Sequence, residues 1–270
     1  MSECNHNCSS CASTGQCADE IKKAMLNDRS TIKKIIAVLS GKGGVGKSFV
    51  TSSLAVSLAK SGYKVGILDA DITGPSIPKA FGINEKAYGE DNVVYPAISK
   101  YGIKIISSNM LLDDVKEPII WRGPLLGNLI QQFYEDVLWE ELDYLLIDMP
   151  PGTGDVALST FQLLPVDELI IITSPQDLVN LIVAKAINMA NKMNIHVLGL
   201  IENMSYVICP NCNEKFSIFG KSNIDEYAKE FKLPVLAKLP LNPINTELMD
   251  KGEIYNVEIK ELDNVIELLK

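Results

Sequence analysis

Gly41-Lys42-Gly43-Gly44-Val45-Gly46-Lys47-Ser48 decides how the rest of the chain is read. An apolar run, Ile35-Ile36-Ala37-Val38-Leu39, precedes it and reads as a buried strand. Phe49 to Lys60 follows, with Val50, Leu54, Val56 and Leu58 at positions that suit a packed helix. Strand, glycine-rich turn and helix form the setting a phosphate-binding loop requires, and the G-x-x-x-x-G-K-S spacing is complete. Glycines let successive N–H groups turn toward one anion, and the helix N-terminus adds partial positive charge at the same place. Lys47 can then reach the β- and γ-phosphates of a nucleotide, and the Ser48 hydroxyl can ligate Mg²⁺. An ordinary glycine turn between strand and helix is the bland alternative, and the full spacing disfavours it.

With 270 residues the chain forms one large domain or two small ones, and a hydrophobic fraction of 47% supports a sizeable core. There is no run of about 18 apolar residues, so no transmembrane helix is expected. The polar, cysteine-rich N-terminus lacks the basic-then-apolar pattern of a signal peptide. A cytoplasmic, reducing setting is therefore expected, in which six cysteines serve as metal ligands rather than disulfides. A net charge of −9 with no long basic run argues against nucleic acid as a partner. Lys260 to Lys270 reads as a short terminal helix with an acidic polar side, unsuited to an anionic membrane surface.

From Lys33 the pattern alternates. Strands are expected at Lys34 to Leu39, Lys64 to Leu68, Ile103 to Ser107, Tyr144 to Asp148, Glu168 to Thr173, His196 to Ile201 and Val235 to Lys238. Helices are expected at Lys47 to Ser61, Pro124 to Leu138, Asp155 to Leu163, Leu178 to Met193, Ser222 to Phe231 and Asn242 to Asp250. Continuous apolar strands between helices predict an α/β fold: a doubly wound, mainly parallel β-sheet with helices on both faces. Residues 1–30 read as a cysteine-rich metal-binding segment, too polar to fold by burial alone. Residues 31–270 read as the phosphate-loop domain, with a C-x-x-C insertion at 206–220. A short amphipathic helix is expected from Asp19 to Leu26.

Three more stretches fall at strand ends, the edge where α/β proteins bind ligands. In Leu68-Asp69-Ala70-Asp71, Asp71 is expected to orient the attacking water or a metal-bound water, with Asp69 as its support. Leu145-Leu146-Ile147-Asp148 is an apolar run into an aspartate that holds Mg²⁺, often through water. Pro150-Pro151-Gly152-Thr153-Gly154 after it reads as a switch loop with a glycine N–H toward the γ-phosphate. In Ile201-Glu202-Asn203-Met204-Ser205, Asn203 carries the donor and acceptor needed to read the edge of adenine.

These stretches together resemble one family. Gly41 to Ser48 is similar to the deviant Walker A loop of the MinD, ParA and nitrogenase iron-protein class, which carries a second lysine, here Lys42. Asp69 to Ser76, Trp121-Arg122-Gly123-Pro124, Asp148 to Asp155, Ser174-Pro175-Gln176-Asp177, Glu202 to Ser205 and Cys209-Pro210-Asn211-Cys212 resemble the Mrp-type branch. The resemblance covers roughly Lys33 to the C-terminus. It implies an ATP-hydrolysing iron–sulfur cluster carrier that works as a homodimer and hands a [4Fe–4S] cluster to apo-proteins. It also implies that Lys42 reaches across the interface to the other copy's phosphates. The nucleotide contacts expected on this basis are Gly41, Lys42, Gly43, Gly44, Val45, Gly46, Lys47, Ser48, Phe49, Asp69 and Asn203. Lys42, Lys47, Asp71 and Asp148 are the catalytic set.

Cys209 and Cys212 supply two thiolates, half of what a [4Fe–4S] cluster or structural Zn²⁺ takes. Two chains about a two-fold axis would complete the four. Half of a zinc knuckle is the other reading of the spacing, and the family resemblance tilts the choice to iron–sulfur. Cys4-x3-Cys8-x2-Cys11-x5-Cys17 is a four-thiol set in one chain. Its last three spacings resemble the N-terminal cluster motif of the eukaryotic cytosolic scaffolds, while the first is much shorter. A second [4Fe–4S] cluster is expected there, with zinc as the alternative. The competing function is a zinc-binding regulatory or ParA/MinD-type positioning ATPase, which would need a membrane helix or DNA surface.

Overall fold

A computed structural model of the chain describes residues 22–72, 74, 76–90, 93–111, 123–175, 179–220 and 222–270. Its centre is β1 (Thr31–Ser40), whose last six residues are buried. β1 is flanked in parallel by β7 (Glu141–Asp148) and β8 (Glu168–Thr173). Beyond β7 lie β2 (Val65–Asp69), β6 (Lys104–Ser107) and the short antiparallel β5 (Ala97–Ile98). Beyond β8 lies β9 (His196–Ile208), which pairs in parallel with β11 (Val235–Pro240) and antiparallel with β10 (Lys215–Phe216). A separate hairpin joins β3 (Tyr88–Glu90) and β4 (Val93–Tyr95).

Both faces of the sheet are covered, because alternate residues of each strand are apolar on each side. Ile35, Ala37 and Leu39 face one core with α3 (Gly123–Glu135), α4 (Asp155–Leu163), α5 (Val179–Lys192) and α6 (Ile224–Phe231). Ile36 and Val38 face the other, with α1 (Lys47–Lys60), α2 (Ile77–Ala80), α7 (Pro243–Asp250) and α8 (Asp263–Leu269). This is the doubly wound, mainly parallel α/β architecture expected from the alternating apolar runs. Among the described residues no helix is long and apolar enough to cross a membrane.

All seven expected strands are present, and β9 runs on to Ile208, well past its expected end at Ile201. The helix expected from Asp19 to Leu26 is not formed over residues 22–26, and residues 19–21 lie outside the described part. That stretch instead caps α4: Lys23 Nζ donates to the carbonyls of Phe161 (2.6 Å) and Leu164 (2.9 Å). The Ala24 N–H donates to Leu163 O. A helix C-terminus leaves carbonyls without intrahelical partners, and a lysine there satisfies them better than a further isolated turn would.

Gly66 sits in the middle of β2, where a Cβ would lie 2.6 Å from Leu142 Cδ1 and 2.9 Å from Trp139 Cζ3. Trp139 is fully buried and donates its Nε1–H to Phe133 O, so it has no room to yield. Gly66→Ala is expected to destabilise the domain by about 1–3 kcal/mol through overpacking, read as a lower urea midpoint with unchanged slope.

Candidate functional site

The loop between β1 and α1 has the backbone that its glycines predict. Gly44 and Gly46 both have φ of 80°, the left-handed region, and Gly46 is the residue on which α1 begins. Gly41 is fixed by close packing instead: a Cβ there would lie 2.7 Å from Ile182 Cγ2 on α5. The result is a tight turn opening onto a helix N-terminus at the C-terminal edge of the sheet. Phe49 is half-buried against the α1 face of the core, so it offers this edge its backbone rather than its ring.

Three strand ends meet here. Asp69 ends β2, Asp148 ends β7, and the two are direct partners across the strands. Asp148 is fully buried and accepts from every side: Lys47 Nζ lies 2.7 Å and Ser48 Oγ 2.6 Å from its Oδ2, and Thr51 Oγ1 2.8 Å from its Oδ1. Lys47 is itself buried, with Asp71 Oδ2 3.6 Å away on its other flank. Asp69 accepts from Ser107 Oγ at 3.0 Å and from the Asp71 N–H at 3.2 Å. Asp69 thus anchors the backbone at Asp71. Burial, and then the neighbouring Asp148 charge, push the Asp69 carboxyl up to about 8 against the opposing pull of Lys47.

The loop after β7 is tied down as well. Gly152, at φ 87°, donates its N–H to Ser40 O at 2.7 Å. That bond ties the loop from Pro150 to Gly154 to the end of β1. Asn203, buried in β9, donates Nδ2 to Val45 O at 2.9 Å. One of its two amide N–H donors thus braces the phosphate loop. Lys42 is half-buried at the start of the loop, and its carbonyl accepts from Ser40 Oγ at 3.0 Å.

Cys209 and Cys212 lie on the turn that joins β9 to β10. The Cys209 N–H donates to Glu214 O, the Asn213 N–H donates back to Cys209 O, and Asn213 takes φ 59° to close the turn. Backbone N–H groups of Cys212 and Asn211, then the Cys212 thiol, hydrogen-bond Cys209 and hold it below the ordinary thiol value. Among the described residues no three His, Cys, Asp or Glu side chains gather as a metal site. Cys4, Cys8, Cys11 and Cys17 lie outside the described residues, as do Trp121, Arg122, Gln176 and Asp177.

Two contributors to the site were not singled out in the sequence. Thr51 follows Lys47 by one helical turn, which puts both on the face toward Asp148. Ser107 is the last residue of β6 and stands beside Asp69 across the strands. Their spacing and strand-end position were the available signals.

A phosphate loop wired in this way to a strand-end aspartate, on the edge of a parallel sheet, places the molecule among the P-loop nucleoside triphosphatases. Comparison with known proteins narrows that class. A family model described as NUBPL iron-transfer P-loop NTPase, within the ParA group, matches residues 31–269. The iron–sulfur cluster carrier protein of Clostridium perfringens is 46% identical over 254 residues, 91% of this chain and 89% of the relative. That of Methanocaldococcus jannaschii is 46% identical over 260 residues, 93% and 90% of the two chains. A nucleotide-binding protein of Archaeoglobus fulgidus, solved in complex with ADP, superposes with a TM-score of 0.78 at 42% identity, covering 86% of this chain and 91% of its own. The cell-division ATPase MinD of Pyrococcus furiosus, at 22% identity and a TM-score of 0.63 over 88% of this chain and 97% of its own, shares the fold. The chain belongs to the NUBPL iron-transfer P-loop NTPase family.

The raised Asp69 carboxyl has a sign that can be checked. The folded chain holds this proton to about pH 8, whereas an unfolded aspartate releases it near pH 3.9. Stability from this group is full below the lower value and is lost as pH climbs toward the higher one. Urea midpoints of the nucleotide-free protein should fall from pH 5 to pH 8, and Asp69→Asn should flatten that slope.

Proposed function

We propose that this chain binds and hydrolyses ATP and, as a cytoplasmic homodimer, assembles a [4Fe–4S] cluster and delivers it to apo-proteins. One observation carries the reading. A single strand, β9, braces the phosphate loop through Asn203 and delivers Cys209 and Cys212 at its exposed end. The names of the relatives, iron–sulfur cluster carrier proteins, support the cargo assignment.

At the nucleotide, the N–H groups from Gly43 to Phe49 cradle the phosphates, with Gly44 and Gly46 supplying the left-handed turns. Lys47 neutralises charge growing on the transferred phosphoryl group. Asp71, held by Asp69, orients the attacking water. Asn203 reads the adenine edge through its amide oxygen and its second N–H. Lys42 reaches across the two-fold interface to the other copy's phosphates, adding a second cation. The hydroxyl of Ser48 and the carboxylate of Asp148, 2.6 Å apart at the loop, form a hard oxygen donor set that suits Mg²⁺. When bound there, Mg²⁺ offsets phosphate charge.

At the cargo end each chain presents two thiolates, Cys209 already biased to the ionised form. A two-fold axis through the hairpin tips brings four together, the complement of a [4Fe–4S] cluster. Near the N-terminus, Cys4, Cys8, Cys11 and Cys17 hold a second cluster, while residues 23–30 of the segment expected to be separate are bonded to the main domain. No membrane or nucleic acid takes part.

Oxygen-free purification and reconstitution with iron and sulfide, followed by metal analysis and a visible spectrum, tests this. Cys209→Ala should lose the bridging cluster and keep ATP binding. Wild-type protein that stays colourless and monomeric, or takes up zinc alone, would overturn the reading. Lys47→Ala should lower ATP turnover by about a hundredfold or more, measured as phosphate release.

A further inference from the structure

Of the register shifts along β9, one falls beside the phosphate loop. Its pairing with β8 ends at Thr173 opposite Glu202. Beyond that point it is held by β11 and then β10. Lys238 of β11 faces Glu202 and Pro240 faces Tyr206, so two steps on β11 oppose four on β9. The surplus is a bulge at Asn203, Met204 and Ser205. Met204 within it has φ 58°. That region costs a residue with a Cβ about 1–2 kcal/mol, and a long apolar side chain has no local hydrogen bond to offset it.

The strain has a geometric product. Neighbouring side chains in a regular strand point to opposite faces. Here Asn203 and Met204 both reach the phosphate loop. Asn203 donates to Val45 O, and a Cβ on Gly46 would lie 2.3 Å from Asn203 Nδ2 and 3.8 Å from Met204 Cε. The bulge is clamped on its other side, where Ser205 and Ser222 both donate to the buried Glu202. Downstream the strand continues directly into Cys209, at most about 20 Å of extended chain from Asn203.

We propose that the Asn203–Met204 bulge is the positioning device that ties the phosphate loop to the Cys209–Cys212 hairpin, so that nucleotide seated on the loop resets the exposure of the two thiols. Met204 acts as a positioning residue through its backbone: the left-handed turn sets both the grip on Gly46 and the direction in which β9 leaves the sheet. This rests on the nucleotide part of the proposed function and not on iron.

The test uses the full chain, free of cluster and without oxygen, with ADP and Mg²⁺ as the probe. Alkylation of Cys209 and Cys212 by a maleimide is followed by mass spectrometry. ADP·Mg²⁺ should change their rates severalfold in the wild type. Met204→Gly, which accepts a positive φ without strain, should keep that response. Met204→Ile, β-branched and unable to hold the turn, should lose it at ADP concentrations shown to saturate the variant. A full response in Met204→Ile, an equal loss in Met204→Gly, or no response in the wild type overturns the proposal. Should Met204→Ile fail to fold, hydrogen exchange on the wild type decides. ADP-dependent protection reaching from the phosphate loop through 202–208 supports the coupling, and protection confined to residues 41–48 overturns it. No iron enters either measurement, so a failed cluster assignment leaves this result readable.

Discussion

The buried carboxylate of Asp148 is the point on which the rest of the structure depends. A charge with no solvent access is tolerable when it is paired and hydrogen-bonded, and here a lysine, a serine and a threonine surround it. All three donors come from the first turns of α1. One aspartate at the end of β7 therefore fixes where α1 starts and how it is rotated, and with that where the phosphate loop lies. Asp69, one strand over, is the cost of this arrangement: its full burial, and then the Asp148 charge beside it, favour a proton on its carboxyl.

The parallel sheet makes this convergence possible. Every central strand ends on the same edge, so residues far apart in the chain, such as Ser40, Asp69, Ser107, Asp148 and Glu202, arrive there together. β9 alone among the central strands runs on beyond the edge, and it carries the cysteines. The strand that braces the phosphate loop through Asn203 thus leads directly into the cysteine turn. Ile208, Phe216, Ile218 and Phe219, which flank the cysteines in sequence, are exposed apolar residues.

Much of this was legible beforehand. The apolar runs from Ile35 to Leu39 and from Leu145 to Ile147 mark strands buried on both faces, and the glycine spacing from Gly41 to Ser48 marks the loop between them. Asp69, Asp71 and Asp148 follow because a charged residue ending a buried strand has to sit at the sheet's edge. What periodicity did not show are the pieces with little apolar content: the β3–β4 hairpin, the antiparallel edge strand β5, and the use of Lys23 as a cap on α4. Those depend on partners distant in sequence, and a local pattern carries no record of them.

By itself the sequence determined the fold class, the phosphate loop, the acidic strand ends and the paired thiols, because each is written in residue type and short spacing. Tertiary structure alone decided that Asn203 gives a donor to Val45, that Thr51 and Ser107 join the site, and that Met204 turns left-handed to bring β9 onto the loop. Hydrogen bonds between strands and backbone strain at a bulge arise from which chains lie side by side, and that neighbourhood exists only once the sheet has formed.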